Sequence, residues 1–442
     1  MLGTTPDLGG ASRQAELERL GRAVLRTLVQ RSETLDDAVT TSYLVDLVNR
    51  LRGANAITTG VQSITVFRNP TVNAFVLPGG LIGVNAGLIL EAPSESALAS
   101  VLAHELAHLT QRHVERVFAR QSRSGLATLA ALLAGALVVR DNPQAAQAAV
   151  YSGLAASVQQ QLDYSRQNER EADRIGQKFL ENAGFRSAGM AEMLQHLSAL
   201  SGLNARGGIE YLQTHPLTPN RVGEAWERAR RQPDTGNAPQ PGFALVKQRV
   251  AHLLDQHLAD SPTADYGAAL SQLETDPEAS LVHLDRLPEP WREARYSRLL
   301  RARALLGAGR TDAADTLFAE LERDYPFDYL THHVKASEHA RQGDYARASA
   351  VLSRWLRTHP APNASMLRRT AQYHRAAGDL AESQRWYGEY YAMRGDLERA
   401  AAHFSEALKT AEEGSNRHAR LSSRLADVTA EINADNAARP GG

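Results

Sequence analysis

A 34-residue internal period governs the C-terminal part of this chain. Gly309 and Gly343 are 34 apart, and Gly378 follows after 35. Pro326 and Pro360, Ala314 and Ala348, and Leu317 and Val351 all recur at 34. Arg341-Gln-Gly-Asp-Tyr-Ala, Ala377-Gly-Asp-Leu-Ala and Arg394-Gly-Asp-Leu-Glu-Arg-Ala read as similar turns between helices. A unit of this size cannot bury its apolar face alone, so successive copies must stack.

A helix-turn-helix period of 34 with these small residues and prolines is the tetratricopeptide signature. The array is placed at 243–432, with its copies before residue 290 degenerate and Asn433–Gly442 a loose tail. Its concave surface suits binding of protein segments rather than chemistry. Residues 232–242, Gln-Pro-Asp-Thr-Gly-Asn-Ala-Pro-Gln-Pro-Gly, read as a linker. At 442 residues, two or three domains are expected, and 12–231 must hold any active site.

That site announces itself at Ala103-His104-Glu105-Leu106-Ala107-His108. Ser94 and Glu95 mark a helix start, and Leu98, Val101, Leu102, Leu106 and Leu109 recur at offsets of three and four. On a helix His104 and His108 share one face and can aim at one point. That point could hold zinc, which prefers nitrogen, sulfur and carboxylate ligands. Glu105 would stand at its rim, able to take a proton from a water there, the chemistry of metal-assisted peptide hydrolysis. A helix with two polar His on an exposed face is the plain alternative.

Further candidates lie on either side. Residues 12–30 and 38–52 read as helices, then Ser63–Arg68, Val72–Leu77 and Leu81–Asn85 as strands punctuated by Asn69-Pro70 and Pro78-Gly79-Gly80. Either Val72–Leu77 or Leu81–Asn85 is a candidate edge to hold an extended substrate, or the sheet is simply structural. Leu126–Val139 is apolar but short of the ~20 residues a membrane span needs. It reads as a buried helix or one arm of a hairpin with 144–158. In the helix 164–183, Glu169 and Asp173 share a face. One could complete a metal site while the other holds a ligand His, or Arg166, Arg170 and Arg174 could offset them without any metal. A stiff loop with His215-Pro216 precedes a helix from Arg221 to Arg231. Asp36-Asp37 and Glu412-Glu413 read as surface pairs.

Composition sets the exclusions. A net charge of −1 gives no electrostatic case for nucleic acid. The absence of Cys removes thiolate ligands, thiol nucleophiles and disulfides. Residues 1–11 lack the basic and apolar regions of a signal peptide, so the chain is either cytoplasmic or a mature form whose leader has been removed.

His104-Glu-Leu-Ala-His108 followed by Glu169-Arg-Glu-Ala-Asp173 resembles the paired motif of M48 metallopeptidases. Asn73-Ala-Phe-Val-Leu-Pro-Gly-Gly80 is similar to that family's substrate strand, and His215-Pro with Arg221 matches a further pattern of its members that carry a tetratricopeptide array. The resemblance implies an α+β zincin-like metalloprotease domain, mostly helical with a small sheet, followed by an all-α repeat domain. It implies one Zn2+ per chain on His104, His108 and Glu169, with Glu105 as general base and Asp173 supporting a ligand His. It also implies that His215 lies on a plug loop and can take the fourth metal position, and that Arg221 lies near the catalytic centre, where it could stabilise the oxyanion. The expected enzyme is a periplasmic zinc endopeptidase for misassembled outer-membrane β-barrel proteins. Its repeats would bind substrates or their assembly machinery, with no nucleic acid and no transmembrane segment. A chaperone or adaptor with a mostly latent protease site is the alternative.

Overall fold

The structure is a computed structural model. It describes residues 32–113, 155–203, 210–232 and 241–437, apart from 59, 257, 259–260, 327, 359–363 and 395, together with positions 18, 21, 24, 25, 28, 29 and 116. Packing divides the chain into two compact units: Met1–Gly267 with Leu287–Ala294, and Ala268–Arg286 with Arg295–Gly442.

The first unit is built around a small sheet and one buried helix. Helix α1 (Ala38–Ala54) turns Leu44, Leu47, Val48 and Leu51 into the core. Its N-cap is Asp37, whose carboxylate accepts from the Thr40 backbone N–H at 2.8 Å. Strands β1 (Ser63–Phe67), β2 (Ala74–Leu77) and β3 (Leu81–Asn85) form a sheet in the order β1-β3-β2. β3 runs parallel to β1 and antiparallel to β2, with Phe75 opposite Gly83. β3 is therefore central and buried along its length, so of the two candidate edges only β2 is one.

β3 runs straight into the short α2 (Ala86–Glu91), and α3 (Glu95–Thr110) follows. Ser94 caps α3 by accepting from the Ala97 N–H at 3.1 Å. The sequence predicts one apolar stripe on this helix. Every residue from Glu95 to His108 is in fact buried, because neighbours cover all sides of it. Those neighbours include β2, α4 (Ala155–Asn182) and α5 (Ala188–Leu203). Gly184, at φ +72°, ends the α4 segment in the left-handed conformation that suits glycine. Arg50 Nε donates to the Ala183 carbonyl at 2.8 Å there. The short α6 (Glu210–Thr214) and α7 (Pro219–Arg230) complete the surroundings of the site. The described positions of the predicted 12–30 helix include Val24 and Leu28, buried against Phe67, Phe75, Leu77 and Leu81.

Asp37 is not the surface residue that its Asp-Asp context suggests. It is buried and takes a forked ion pair from Arg249 of α8 (Pro241–Leu253), with contacts from 2.7 to 3.0 Å. Lys247 of α8 donates to the Ala92 carbonyl at 3.0 Å. The first helix after residues 232–242 thus packs within the first unit. Leu126–Val139 lies outside the described residues. Among those described, no helix is long and apolar enough to cross a membrane.

After α9 (Ala264–Gln272), the second unit is all-helical: α10 (Pro277–Arg286), α11 (Arg295–Gly307), α12 (Thr311–Asp324), α13 (Tyr329–Arg341), α14 (Tyr345–Thr358), α15 (Ala364–Ala376), α16 (Leu380–Met393), α17 (Leu397–Lys409) and α18 (Asn416–Ala437). Successive helices pack on each other, α15 on α16 and α16 on α17 most extensively. The recurring glycines stand at the turns: Gly309, Gly343 and Gly378 all have positive φ. After Gly343 and Gly378 the following Asp caps the next helix, Asp344 accepting from the Arg347 N–H and Asp379 from the Glu382 N–H, whereas after Gly309 the N-cap is Arg310, with no side-chain bond.

Candidate metal centre

α3 and α4 cross closely enough to bring their polar residues to one point. On α4, Glu169, Asp173 and Gly176 fall at offsets of four and three, so they share the face turned to α3. Gly176 allows the approach: a β-carbon there would sit 3.0 Å from the His104 backbone nitrogen and 3.1 Å from the Ala103 carbonyl. Any side chain at 176 would push the helices apart.

Four buried ligand-type residues converge: His104, His108, Glu169 and His215, each offering one atom within 4.8 Å of the others. His104 Nε2 is 3.0 Å from His108 Nε2, 3.3 Å from His215 Nδ1 and 3.3 Å from Glu169 Oε2. His108 Nε2 and His215 Nδ1 are 3.3 and 3.0 Å from Glu169 Oε1. A tetrahedral ion with bonds of 2.0–2.1 Å to nitrogen and oxygen sets adjacent donors roughly 3.3–3.4 Å apart. His104 to His108, His104 to His215, and each imidazole to one or other oxygen of Glu169 thus stand at 3.0–3.3 Å, near the length of those edges. Three imidazoles and one carboxylate also match the ligand preferences of zinc. The residues present therefore fit the group.

The surroundings orient the donors. His104 turns Nδ1 to Asp173 Oδ1 at 3.0 Å, which leaves Nε2 for the cluster. Arg221 forks onto Asp173 with Nε at 2.7 Å and Nη2 at 2.9 Å. Its Nη1 reaches Glu169 Oε2 at 3.0 Å and the Pro216 carbonyl at 2.8 Å. Four of the five N–H groups of a guanidinium are thereby directed at protein acceptors. As placed, Arg221 braces both acidic residues of α4 and the loop that carries His215. It does not face open space, as oxyanion stabilisation would require.

Burial raises the pKa of Glu105, which is 1% exposed, against the lowering influence of His215 and His104 and a hydrogen bond from the Val76 backbone N–H. Its Oε1 has no hydrogen-bond partner. His215 Nε2 lies 3.4 Å from that oxygen. Burial disfavours a charge on His104, yet Asp173 and Glu169 outweigh it and raise its pKa to about 10. Burial instead takes His108 down to about 3. Burial opposes ionisation of Asp173, but its bonds to His104 and Arg221 bring it to about 2. Burial likewise opposes ionisation of Glu169, but His215, His104 and His108 hold its carboxyl well below the ordinary carboxylate value.

β2 passes directly over this site. Asn85 N–H bonds the Asn73 carbonyl at 2.9 Å, so positions 73, 75 and 77 face β3. The backbone groups of Ala74 and Val76 then point away from the sheet, and that of Val76 toward Glu105.

Three residues were not singled out by sequence reasoning. Tyr211 of α6 is buried, with its ring stacked on His215 at 4.6 Å between centroids. His113 and Glu171 form a hydrogen-bonded chain behind His108. Nothing local marks Tyr211. Glu171 lies inside the acidic motif itself, and His113 five residues past His108, a spacing that a continuous helix would carry to another face.

Residues 39–229 match the model of peptidase family M48. The chain is 28% identical over 445 residues to the β-barrel assembly-enhancing protease of Escherichia coli, covering 96% of this chain and 90% of that one. The Yersinia pestis protein of the same name is 33% identical over 250 residues, 55% of this chain and 51% of its own length. A mitochondrial metalloendopeptidase of Schizosaccharomyces pombe, OMA1, is 30% identical over 187 residues, 41% of this chain and 51% of its own. Residues 39–229 are accordingly an M48 peptidase domain, and the chain that carries it is a metalloendopeptidase.

Proposed function

We propose that this protein is a periplasmic zinc endopeptidase acting on misassembled outer-membrane β-barrel proteins, with its catalytic centre held latent by His215. The observation that carries the reading is the convergence of His104, His108, Glu169 and His215 at tetrahedral spacing beside Glu105. The substrate class rests on relatives named for enhancing β-barrel assembly that align over about nine-tenths of their length.

Zinc bound here would polarise the scissile carbonyl and make a water acidic enough to serve as nucleophile. The chain supplies the rest. His104, His108 and Glu169 hold the ion, and Asp173 fixes the tautomer of His104. Glu105, buried and with a raised pKa, is suited to take a proton at its free Oε1 and return it to the departing amine. The outward backbone groups of Ala74 and the carbonyl of Val76 would pair with an extended substrate strand and set its scissile bond near Glu105, which the Val76 N–H already holds. In this role Arg221 positions Glu169 and Asp173 rather than the substrate.

His215 would take the fourth position around such an ion, and this supports a latent state over a permanently open one. A chaperone or adaptor that seldom cleaves fits the same placement. The helical array would then supply the contacts to substrates or to the outer-membrane assembly machinery. Metal analysis of wild type beside Glu169→Ala tests the centre: about one zinc per chain, lost in the variant, is the expected result. Stoichiometric zinc in both would remove Glu169 from the ligand set. No zinc in wild type after reconstitution would leave the adaptor reading.

A further inference from the structure

We infer that His113 and Glu171 are positioning residues that fix the tautomer of His108 and so set the affinity of the centre for its metal. The inference rests on the zinc reading above and deepens it. His104 is oriented by Asp173, whereas among the described residues no carboxylate meets Nδ1 of His108. There His108 Nδ1 meets His113 Nδ1 at 2.9 Å. His113 Nε2 in turn lies 3.2 Å from Glu171 Oε2, which also accepts from Arg116 Nη2 at 3.0 Å.

Only one assignment of protons satisfies the whole chain when His108 Nε2 is a ligand. A neutral imidazole carries one N–H, so His108 then bears its proton on Nδ1 and donates it. His113 must accept at Nδ1, which places its own proton on Nε2. That N–H donates to the carboxyl oxygen of Glu171. The carboxylate thus reaches His108 through a second imidazole. Reversing any member leaves two donors or two acceptors facing each other.

The backbone is shaped for this contact. Five residues along a helix turn through about 500°, so a continued α3 would carry His113 to a different face from His108. α3 stops at Thr110 instead, and Arg112 adopts φ +53°, the left-handed conformation that is unfavourable for a residue with a side chain. This turn folds His113 back beneath His108, where it is 2% exposed, with ring centroids 4.7 Å apart. Strain of this kind persists where the surroundings over-determine the conformation.

The test is the equilibrium zinc affinity of the full chain, measured by chelator competition for wild type, His113→Leu, His113→Asn and Glu171→Ala. The thermal midpoint of each metal-free protein is read alongside. Loss of such outer partners weakens metal binding by about 10- to 100-fold. His113→Leu is expected to fall in that range with its metal-free midpoint retained. His113→Asn, whose carbonyl can accept from His108, should recover most of the affinity. If His113→Leu does not fold, Glu171→Ala carries the test, since Glu171 is partly exposed. Wild-type affinity in His113→Leu and Glu171→Ala would overturn the inference, as would equal losses in His113→Leu and His113→Asn. Absence of zinc from wild type would instead strike the reading on which it rests.

Discussion

His215 holds its Nε2 3.4 Å from Oε1 of Glu105 while its Nδ1 faces Glu169 at 3.0 Å. One imidazole thus spans the carboxylate proposed to bind metal and the one proposed to move protons. Under the proposed latency, an incoming peptide would displace this ring to reach either. Tyr211, stacked on the same ring, steadies it in place.

Replacing His215 with Ala should therefore raise proteolysis. A hydrogen bond to a charged group is worth about 1.5–3 kcal/mol, so its loss shifts an occluded-to-open balance by roughly ten- to a hundredfold. Cleavage of an unfolded reporter protein by wild type and His215→Ala measures this. Unchanged cleavage, with zinc retained in both, would rule out latency through this ring.

Glu105→Gln should abolish cleavage while leaving the metal in place. Loss of a general base costs about 10²- to 10⁴-fold in rate. Zinc content and turnover measured on the same sample separate this from loss of the ion. Full cleavage by the variant would assign the proton transfer elsewhere.

Asp173→Ala should weaken zinc binding by about 10- to 100-fold, since His104 loses the acceptor on its Nδ1. It should also destabilise the fold, because Arg221 keeps its charge in a buried place without its main partner. Denaturant unfolding of the metal-free variant checks the second effect independently of the first.

Asp37→Asn tests the ion pair with Arg249. Burial alone would raise the Asp37 carboxyl, but Arg249 and the Thr40 bonds hold it below its ordinary value of 3.8. A depressed carboxylate stabilises the fold above its unfolded pKa, and that contribution is lost as pH falls through the folded one. Breaking a buried pair by removing one partner costs about 3–5 kcal/mol. The gap in unfolding free energy between wild type and variant should be full near neutrality and shrink only below about pH 4. A gap constant down to pH 2 would deny the pair its role.

Much of the fold could be read from spacing. The 34-residue period located helical pairs because the turns after α11, α13 and α15 each place a glycine at positive φ, and those glycines recur in sequence. His104 and His108 were legible in helical offset, which also paired Glu169 with Asp173 on one face, but the choice of Glu169 between the two came from the resemblance. Asp37 was misread because its partner Arg249 lies 212 residues away and nothing near Asp37 signals burial. The choice between strand edges depended on pairing order, which no single strand encodes. The support given by His113 was hidden by the turn at Arg112, a residue type that seldom takes that conformation.

Gly176 has a consequence for which ions this enzyme can use. A β-carbon there would crowd the α3 backbone at 3.0–3.1 Å, so glycine lets α4 sit close to α3 at this point. The two cannot part without losing the contacts that bury α3 on every side. Calcium, which takes six to eight oxygens at 2.3–2.6 Å, would need a wider cage with other donors. A preference for a zinc-sized ion would thus rest partly on a residue outside the donor set, through the side chain it lacks.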